Sequence, residues 1–489
     1  MHIDAPSISE TVSLLVQAAN RFLPRDVIDA IAKAGNTETS RSGRMVLEII
    51  LENARVATAT GLPICQDTGI DAVFIRLGQD LRIGGDLLQA VNSGIALGTE
   101  KGFLRSSVCD PLTRRNTGDN TPSVVHVEPV PGNILDISLL PKGCGSENMS
   151  CLTMLPPSAG TDGIVNTVIN QVKQAGPNPC PPGIIGVGIG GTMEQAALIA
   201  KKALLRPLGE KNPRPDARDL ERRITGGLNA LKIGPLGLGG EVTTLGVAVE
   251  LYPCHIASLP VAVNVQCHAA RRSRAVWENG EWRFSQDQDT TGSFSSCSTS
   301  APAEGPSFPG QAAMVNLPLS GDTIAGLRAG DMILLNGWLY TGRDQTHRRL
   351  VEMMDRGEEL PVDISGELIY YVGPSPAPPG RPVGSAGPTT SYRMDAYTPR
   401  MLALGMKAAM GKGRRSPVVR KAFQNHGAVY LAALGGAGAF LAGCIEECEL
   451  TAFPELGPEA LYRMKVRNFP AVVIFDINGN NHYSDVLDR

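Results

Sequence analysis

The distribution of glycine and proline constrains this chain more than any other feature. It carries 55 glycines and 36 prolines in 489 residues, without a low-complexity tract. They gather in short runs between apolar stretches, the densest being Gly183-Ile184-Ile185-Gly186-Val187-Gly188-Ile189-Gly190-Gly191. Glycine adopts conformations and close approaches that a Cβ forbids. Such runs predict glycine-rich turns where the backbone lies against something.

Between these runs the periodicities are mixed, which argues for an α/β fold. Val12, Leu15, Val16 and Ala19 fall on one face of a helix. Pro24 restarts the pattern with Val27, Ile28 and Ile31, and Val46, Ile49, Ile50 and Asn53 form a third helix ending near Gly61-Leu62-Pro63. Strands are expected at 123–127, 134–139 and 261–265, and helices at 160–175 and 191–203. Residues 315–335 read as a compact β-rich module with a tight turn at 324–331. A short helix near 457–467 should precede a strand at 471–475 and a turn at 476–480. There is no internal repeat. At roughly 100–200 residues per domain, the length suits two units: a larger N-terminal α/β domain over 1–284 and a smaller, swivelling C-terminal α/β domain over 311–489. The Ser/Thr/Gly/Pro-rich stretch 285–310 joins them, and Cys297 inside it reads as a bystander.

Several function classes are disfavoured. A net charge of −3 and a pI near 6.2 leave no basic footprint for nucleic acid. No apolar run approaches the ~18 residues of a membrane span. Met1-His2-Ile3-Asp4-Ala5-Pro6 lacks the pattern of a secretory signal, so a cytoplasmic protein is expected. The ten cysteines include no CxxC pair, which disfavours structural zinc. Widely separated cysteines can still meet in the fold.

Three segments carry chemistry. Pro63-Ile64-Cys65-Gln66-Asp67-Thr68-Gly69 puts a soft ligand beside an amide and a carboxylate; alone it is equally well a buried cysteine before a turn. Pro179-Cys180-Pro181-Pro182-Gly183 leads into spaced glycines, but the prolines in front are no central strand, and nicotinamide binding is rejected. A cysteine between prolines is better read as a preorganised ligand. Asn264-Val265-Gln266-Cys267-His268 is followed by Arg271 and Arg272 and preceded by Cys254-His255, a grouping that makes simple core packing a poorer reading.

With Asp110-Pro111-Leu112, Arg115 to Pro122, Lys142-Gly143-Cys144-Gly145-Ser146-Glu147-Asn148, Gly234 to Gly240, Gly342-Arg343-Asp344 and Gly387-Pro388-Thr389-Thr390-Ser391-Tyr392-Arg393-Met394-Asp395, the sequence resembles the class I, iron-sulfur-dependent fumarases and the related L-tartrate dehydratases over nearly its whole length. The resemblance implies a hydro-lyase with a [4Fe-4S] cluster held by Cys65, Cys180 and Cys267. Three protein ligands for four irons leave one iron open as a Lewis acid. It implies a small dicarboxylate substrate, fumarate/malate first and L-tartrate second, and a homodimer. Motif by motif, Gln66, Arg105, Gly143, Arg343, Arg393 and Lys412 become substrate-binding residues. Thr389 becomes the catalytic base, activated by a neighbour such as Asp67, with His255 as a proton shuttle. Cys144 departs from the glycine expected there. Cys109, Cys151, Cys444 and Cys448 read as packing residues. An electron carrier or sensor fits less well, because it needs no acid-binding residues.

Overall fold

The helix Ala5–Arg21 starts where the Asp4 side chain accepts the Ser7 N–H at 3.0 Å, and it buries Ile8, Val12, Leu15, Val16 and Ala19. Pro24 precedes Arg25–Thr37. Ser40 caps Arg41–Thr60, which ends at Gly61 with φ 71°, a left-handed stop that suits glycine. The chain then enters the Cys65 loop. Asn53, on the inner face of that last helix, holds two distant segments together. Its Nδ2 donates to Ile64 O (3.0 Å) and Gly436 O (3.2 Å), and its Oδ1 accepts from Phe440 N–H at 2.9 Å. The structure, a computed structural model, describes residues 1–285, 308, 310 and 312–487. Most of the expected joining stretch, with Cys297, lies outside the described residues.

Two larger sheets precede residue 285, beside a two-stranded parallel pair of His2–Asp4 with Arg82–Gly84. One runs in the order Glu281–Phe284, Ser273–Glu278, Leu135–Lys142, Ile70–Gly78, Val124–Val130. The other runs Cys151–Leu155, Leu259–Gln266, Gly183–Gly190, Thr244–Tyr252. The glycine run expected as a turn is therefore an interior strand, every residue of it buried. The alternation explains why. Ile185, Val187 and Ile189 pack into an apolar cluster with Val168, Val172, Ile224 and Leu228. Gly186 and Gly188 point the other way, where a Cβ would run into the carbonyls of Ala200 and Ala196 on the helix Met193–Ala203. Glycine here lets helix and strand touch backbone to backbone.

A seven-stranded sheet is built from residues after 312, in the order Ala313–Asn316, Met332–Thr341, Leu368–Tyr370, Ala408–Gly411, Val429–Ala433, Leu461–Phe475, Ile445–Ala452. The helix expected near 457–467 is not there. A 3-10 turn covers Pro454–Glu459, and residues from Leu461 onward belong to one fifteen-residue strand paired antiparallel with both Met332–Thr341 and Ile445–Ala452. Two-sided pairing outweighs the local pattern, and Arg463 lies over the Trp338 ring at 4.5 Å. The first residues of the expected turn at 324–331 belong instead to a short helix, Gly321–Gly326, capped by Ser320. The fold is thus α/β with two domains. Buried apolar residues run without a break from Leu23, Val46 and Ile64 through Cys180 to Tyr370, Leu434 and Phe469. An apolar seam of this kind restrains movement between the halves. Among the described residues no helix is long and apolar enough to cross a membrane.

Candidate active site

Three cysteine loops meet at this seam. The Cys65 loop is pinned by Ile64 N–H to Asn20 O (2.8 Å), Gly438 N–H to Ile64 O (3.0 Å) and Ser385 Oγ to Pro63 O. Cys180 sits at φ 58°, a conformation uncommon outside glycine. Its carbonyl accepts the His268 N–H at 3.4 Å. Cys267 follows directly from the strand Leu259–Gln266. Cys65 and Cys180 are buried and Cys267 is half-buried.

The thiols sense one another. Cys267 acts on Cys65, Cys65 on Cys180, and Cys180 on Cys267. Burial pushes all three above the usual thiol range, with Arg271 opposing it at Cys65 and Cys267 and Lys412 opposing it at Cys180 and Cys267. Lys412 Nζ lies 2.9 Å from Cys180 Sγ, and its own pKa is raised by the three thiols against the effect of burial. A metal ligand must be a thiolate, and cations beside a buried thiol favour that form. No three His, Cys, Asp or Glu side chains among the described residues enclose a single metal ion. Gly435 lies directly against one of the thiols: a Cβ there would collide with Cys180 Sγ and stand 3.1 Å from Lys412 Cδ. His268 Nε2 is 2.8 Å from Gly435 O. Three buried thiols opposed by Arg271 and Lys412 are a soft donor set that suits a thiolate-bound group.

Beside the thiols lies a concentration of cations. Asp67 Oδ1 pairs with Arg105 NH2 at 3.1 Å, and Arg105 NH1 donates to Gly373 O at 2.7 Å. Burial alone would raise the Asp67 carboxyl, but Arg105, Arg271, Lys412 and Arg343 together hold it below its ordinary value. Arg343 pairs with Glu459 at 3.0 Å, and Arg393 with Asp344 at 2.6 Å. Burial lowers the Arg343 guanidinium to about 10, still charged near neutrality. Gln66 Nε2 donates to Pro388 O at 3.3 Å. Next in the chain, Thr389 N–H donates to Tyr371 O (2.7 Å) and its carbonyl accepts from Lys412 N–H (3.2 Å). Gly143 lies against Asp67, since a Cβ there would be 3.1 Å from Oδ2.

The structure thus brings together Cys65, Gln66, Asp67, Arg105, Gly143, Cys180, Cys267, Arg343, Thr389, Arg393 and Lys412. It does not bring His255 to them. His255 is exposed on the turn after Thr244–Tyr252, and its bonds are local, Nδ1 accepting the Ala257 N–H at 3.1 Å.

Sequence reasoning missed two supporting arginines. Arg271 is fully buried, donating from NH2 to Asp67 O (2.7 Å) and from NH1 to Asn20 Oδ1 (2.8 Å). Its neighbour Arg272 faces elsewhere, pairing with Asp26 at 2.6 Å. Position four residues after Cys267 was the available signal, but it did not separate the twin arginines. Arg415 is packed near the Tyr371, Phe423 and Tyr430 rings, with Nε 2.6 Å from Asp395 Oδ1. Ser416 N–H reaches the other Asp395 oxygen at 2.7 Å. This clip ties the turn carrying Arg393 to the strand end carrying Lys412.

A family model described as Fumarate hydratase (Fumerase) matches residues 9–276, and one described as Fumarase C-terminus matches residues 292–486. The chain is 33% identical over 501 positions to a protein of Geobacillus stearothermophilus named putative fumarate hydratase class I, covering 98% of this chain and 96% of that one. It is 32% identical over 469 positions to the aerobic class I fumarate hydratase of Escherichia coli K12, covering 92% of this chain and 84% of that protein. A Methanocaldococcus jannaschii protein named putative L(+)-tartrate dehydratase subunit alpha is 40% identical over 273 positions, 54% of this chain and 96% of the relative.

Proposed function

Since this chain belongs to the class I fumarate hydratase family of hydro-lyases, we propose that it interconverts fumarate and L-malate with a [4Fe-4S] cluster held by Cys65, Cys180 and Cys267. The observation that carries this reading is the neighbourhood of three thiols, Lys412 2.9 Å from one of them, and the cations Arg105, Arg271 and Arg343 that act on Asp67. When bound, such a cluster supplies a Lewis-acidic iron without a protein ligand.

The chain's own residues do the rest. Arg105, Arg343 and Arg393 take the substrate carboxylates, for which planar guanidinium groups are suited. Glu459 and Asp344 hold two of them in orientation. Lys412 balances the thiolates and faces the acid from the same side. Gln66 and the Gly143 backbone line the chamber. Thr389 takes the proton from the substrate carbon as its own hydroxyl proton passes to an activating neighbour, the role this reading gives to Asp67. His255 enters this scheme as a proton shuttle through the family resemblance, from an exposed turn. The cysteine ligands and Arg105 come from 1–284 and Thr389, Arg343, Arg393 and Lys412 from 311–489, so this reading has the chemistry between the two halves. The reading includes a homodimer, which the resemblance supports, and a cytoplasmic location.

L-tartrate dehydration is the second reading, favoured by the 40% identity over the first half to the relative of that name. Steady-state assays of anaerobically reconstituted protein on fumarate, L-malate and L-tartrate decide between them. Fumarate/malate should give the highest kcat/KM. Activity on tartrate alone would reverse the order, and activity on none would defeat the proposal.

Gly435 provides an independent check on the cluster site. Gly435→Ala puts a methyl group against Cys180 Sγ. Overpacking of this kind typically costs about 1–3 kcal/mol, here concentrated on a proposed ligand. The variant is expected to fold, by its Tm, yet bind well under half the wild-type iron. Full iron content would count against Cys180 as a ligand.

A further inference from the structure

The chamber wall between Asp67 and Lys412 is made by Gly143, Cys144 and Gly145, at the start of the short helix Cys144–Glu147. A Cβ on Gly143 would stand 3.1 Å from Asp67 Oδ2, and one on Gly145 would stand 2.8 Å from Lys412 Nζ. Charged groups therefore crowd both outer positions. Only the middle position carries a side chain.

Cys144 is open to solvent. Yet burial, with Asp67 and Glu147 nearby, raises its thiol to about 11, and Arg105 and Arg393 act on it as well. A side chain reached by solvent but surrounded by these groups lines a chamber rather than an outer surface. Its backbone is held in place. Ser146 Oγ donates to Gly143 O at 3.1 Å, and Asn148 N–H donates to Cys144 O at 3.0 Å. The buried Lys142 ammonium ties this segment to the Cys267 strand through Ser146 Oγ (3.3 Å), Gln266 Oε1 (2.7 Å) and Val265 O. The backbone that carries the thiol cannot be moved aside cheaply.

We infer that Cys144 sets substrate choice, standing against the middle carbons of the bound dicarboxylate and favouring an acid without an added methyl or second hydroxyl there. The inference rests on the hydro-lyase reading and narrows it. A C4 diacid gripped at its ends by cations presents its two central carbons to the stretch between Asp67 and Lys412. A thiol there occupies the volume that a methyl substituent needs. It is also a weak hydrogen-bond partner, and a second hydroxyl, as in L-tartrate, loses water without gaining a good partner.

The test compares wild type with Cys144→Gly and Cys144→Ser through ratios of kcat/KM, in which any general loss of activity cancels. One methyl group in a pocket is worth about 10–200-fold. Cys144→Gly is therefore expected to raise the 2-methylfumarate to fumarate ratio about tenfold or more. Cys144→Ser, which adds a hydrogen-bonding hydroxyl, should raise the tartrate to malate ratio by at least several-fold. Ratios unchanged in both variants, or a wild type that prefers tartrate to malate, overturn the inference. Calorimetry with succinate and 2-methylsuccinate, which can neither gain nor lose water, reads the wall without turnover, and Cys144→Gly should weaken the preference for succinate. Succinate binding with an unaltered preference refutes the role of Cys144 alone. Absence of succinate binding together with absence of turnover on all four acids refutes the hydro-lyase reading itself.

Discussion

Arg343→Met is expected to lower kcat/KM by about 10²–10³ while the bound iron stays at the wild-type level. Two losses add. The substrate carboxylate loses a guanidinium, and Glu459, paired with it at 3.0 Å, becomes an uncompensated negative charge facing a dianion. Breaking a buried pair by removing one partner costs about 3–5 kcal/mol, and each 1.4 kcal/mol is tenfold. The lower end applies, because the Glu459 side chain keeps 20% of its exposure. Arg393→Met should act in the same direction but less strongly, since both members of its pair with Asp344 are more exposed, at 33% and 28%. The pairing supplies an internal control. Glu459→Gln in the Arg343→Met background should recover part of the loss by removing the stranded charge. Near-normal turnover in Arg343→Met and Arg393→Met would remove these arginines from the site.

Thr389→Ala should reduce turnover by about 10²–10⁴, the usual contribution of a proton-transferring group, with substrate binding retained. The backbone at this position is held independently of the hydroxyl, by Thr389 N–H to Tyr371 O and by Lys412 N–H to Thr389 O. Alanine should therefore change chemistry rather than position, and Thr389→Ser should recover part of the rate. Exchange of the malate C3 proton with deuterated solvent separates the alternatives. Loss of exchange in Thr389→Ala assigns proton transfer to Thr389. Exchange at the wild-type rate makes Thr389 a positioning residue and moves the base to Asp67.

The N-terminal helices were legible because their apolar faces repeat at helical spacing and end at strong local signals, Pro24 and Gly61. Two elements were misread where tertiary pairing overrode local pattern. Gly183–Gly190 looked like a turn because glycine is counted as a breaker, whereas its alternation with Ile and Val marks a strand whose other face must admit a helix backbone. Residues 461–467 looked helical because the two strands that pair with them, Met332–Thr341 and Ile445–Ala452, contribute nothing to a local pattern.

The site was legible chiefly through whole motifs. Spacing alone gave no reason for Cys65, Cys180 and Cys267 to meet across some two hundred residues. Once three loops are seen to converge, the surrounding cations make physical sense of the trio. What stayed invisible were residues acting through others. The Arg415–Asp395 clip and the Asn53 tie join segments far apart in the chain, and neither Arg415 nor Asn53 carries a motif that announces its partner. His255, near Cys267 in sequence, sits on an exposed turn with local bonds, and nothing in its immediate sequence tells of that placement.

The most direct test of the central claim is Mössbauer spectroscopy of the anaerobic, iron-57-reconstituted protein with and without L-malate, run beside iron analysis of Cys65→Ser, Cys180→Ser and Cys267→Ser. The account predicts roughly four irons per chain, the content of a [4Fe-4S] site, with one iron subsite changing on addition of malate. It also predicts loss of that content in each of the three cysteine variants. Full activity in iron-free protein, or a complete spectrum indifferent to malate in an enzyme that turns malate over, would contradict it.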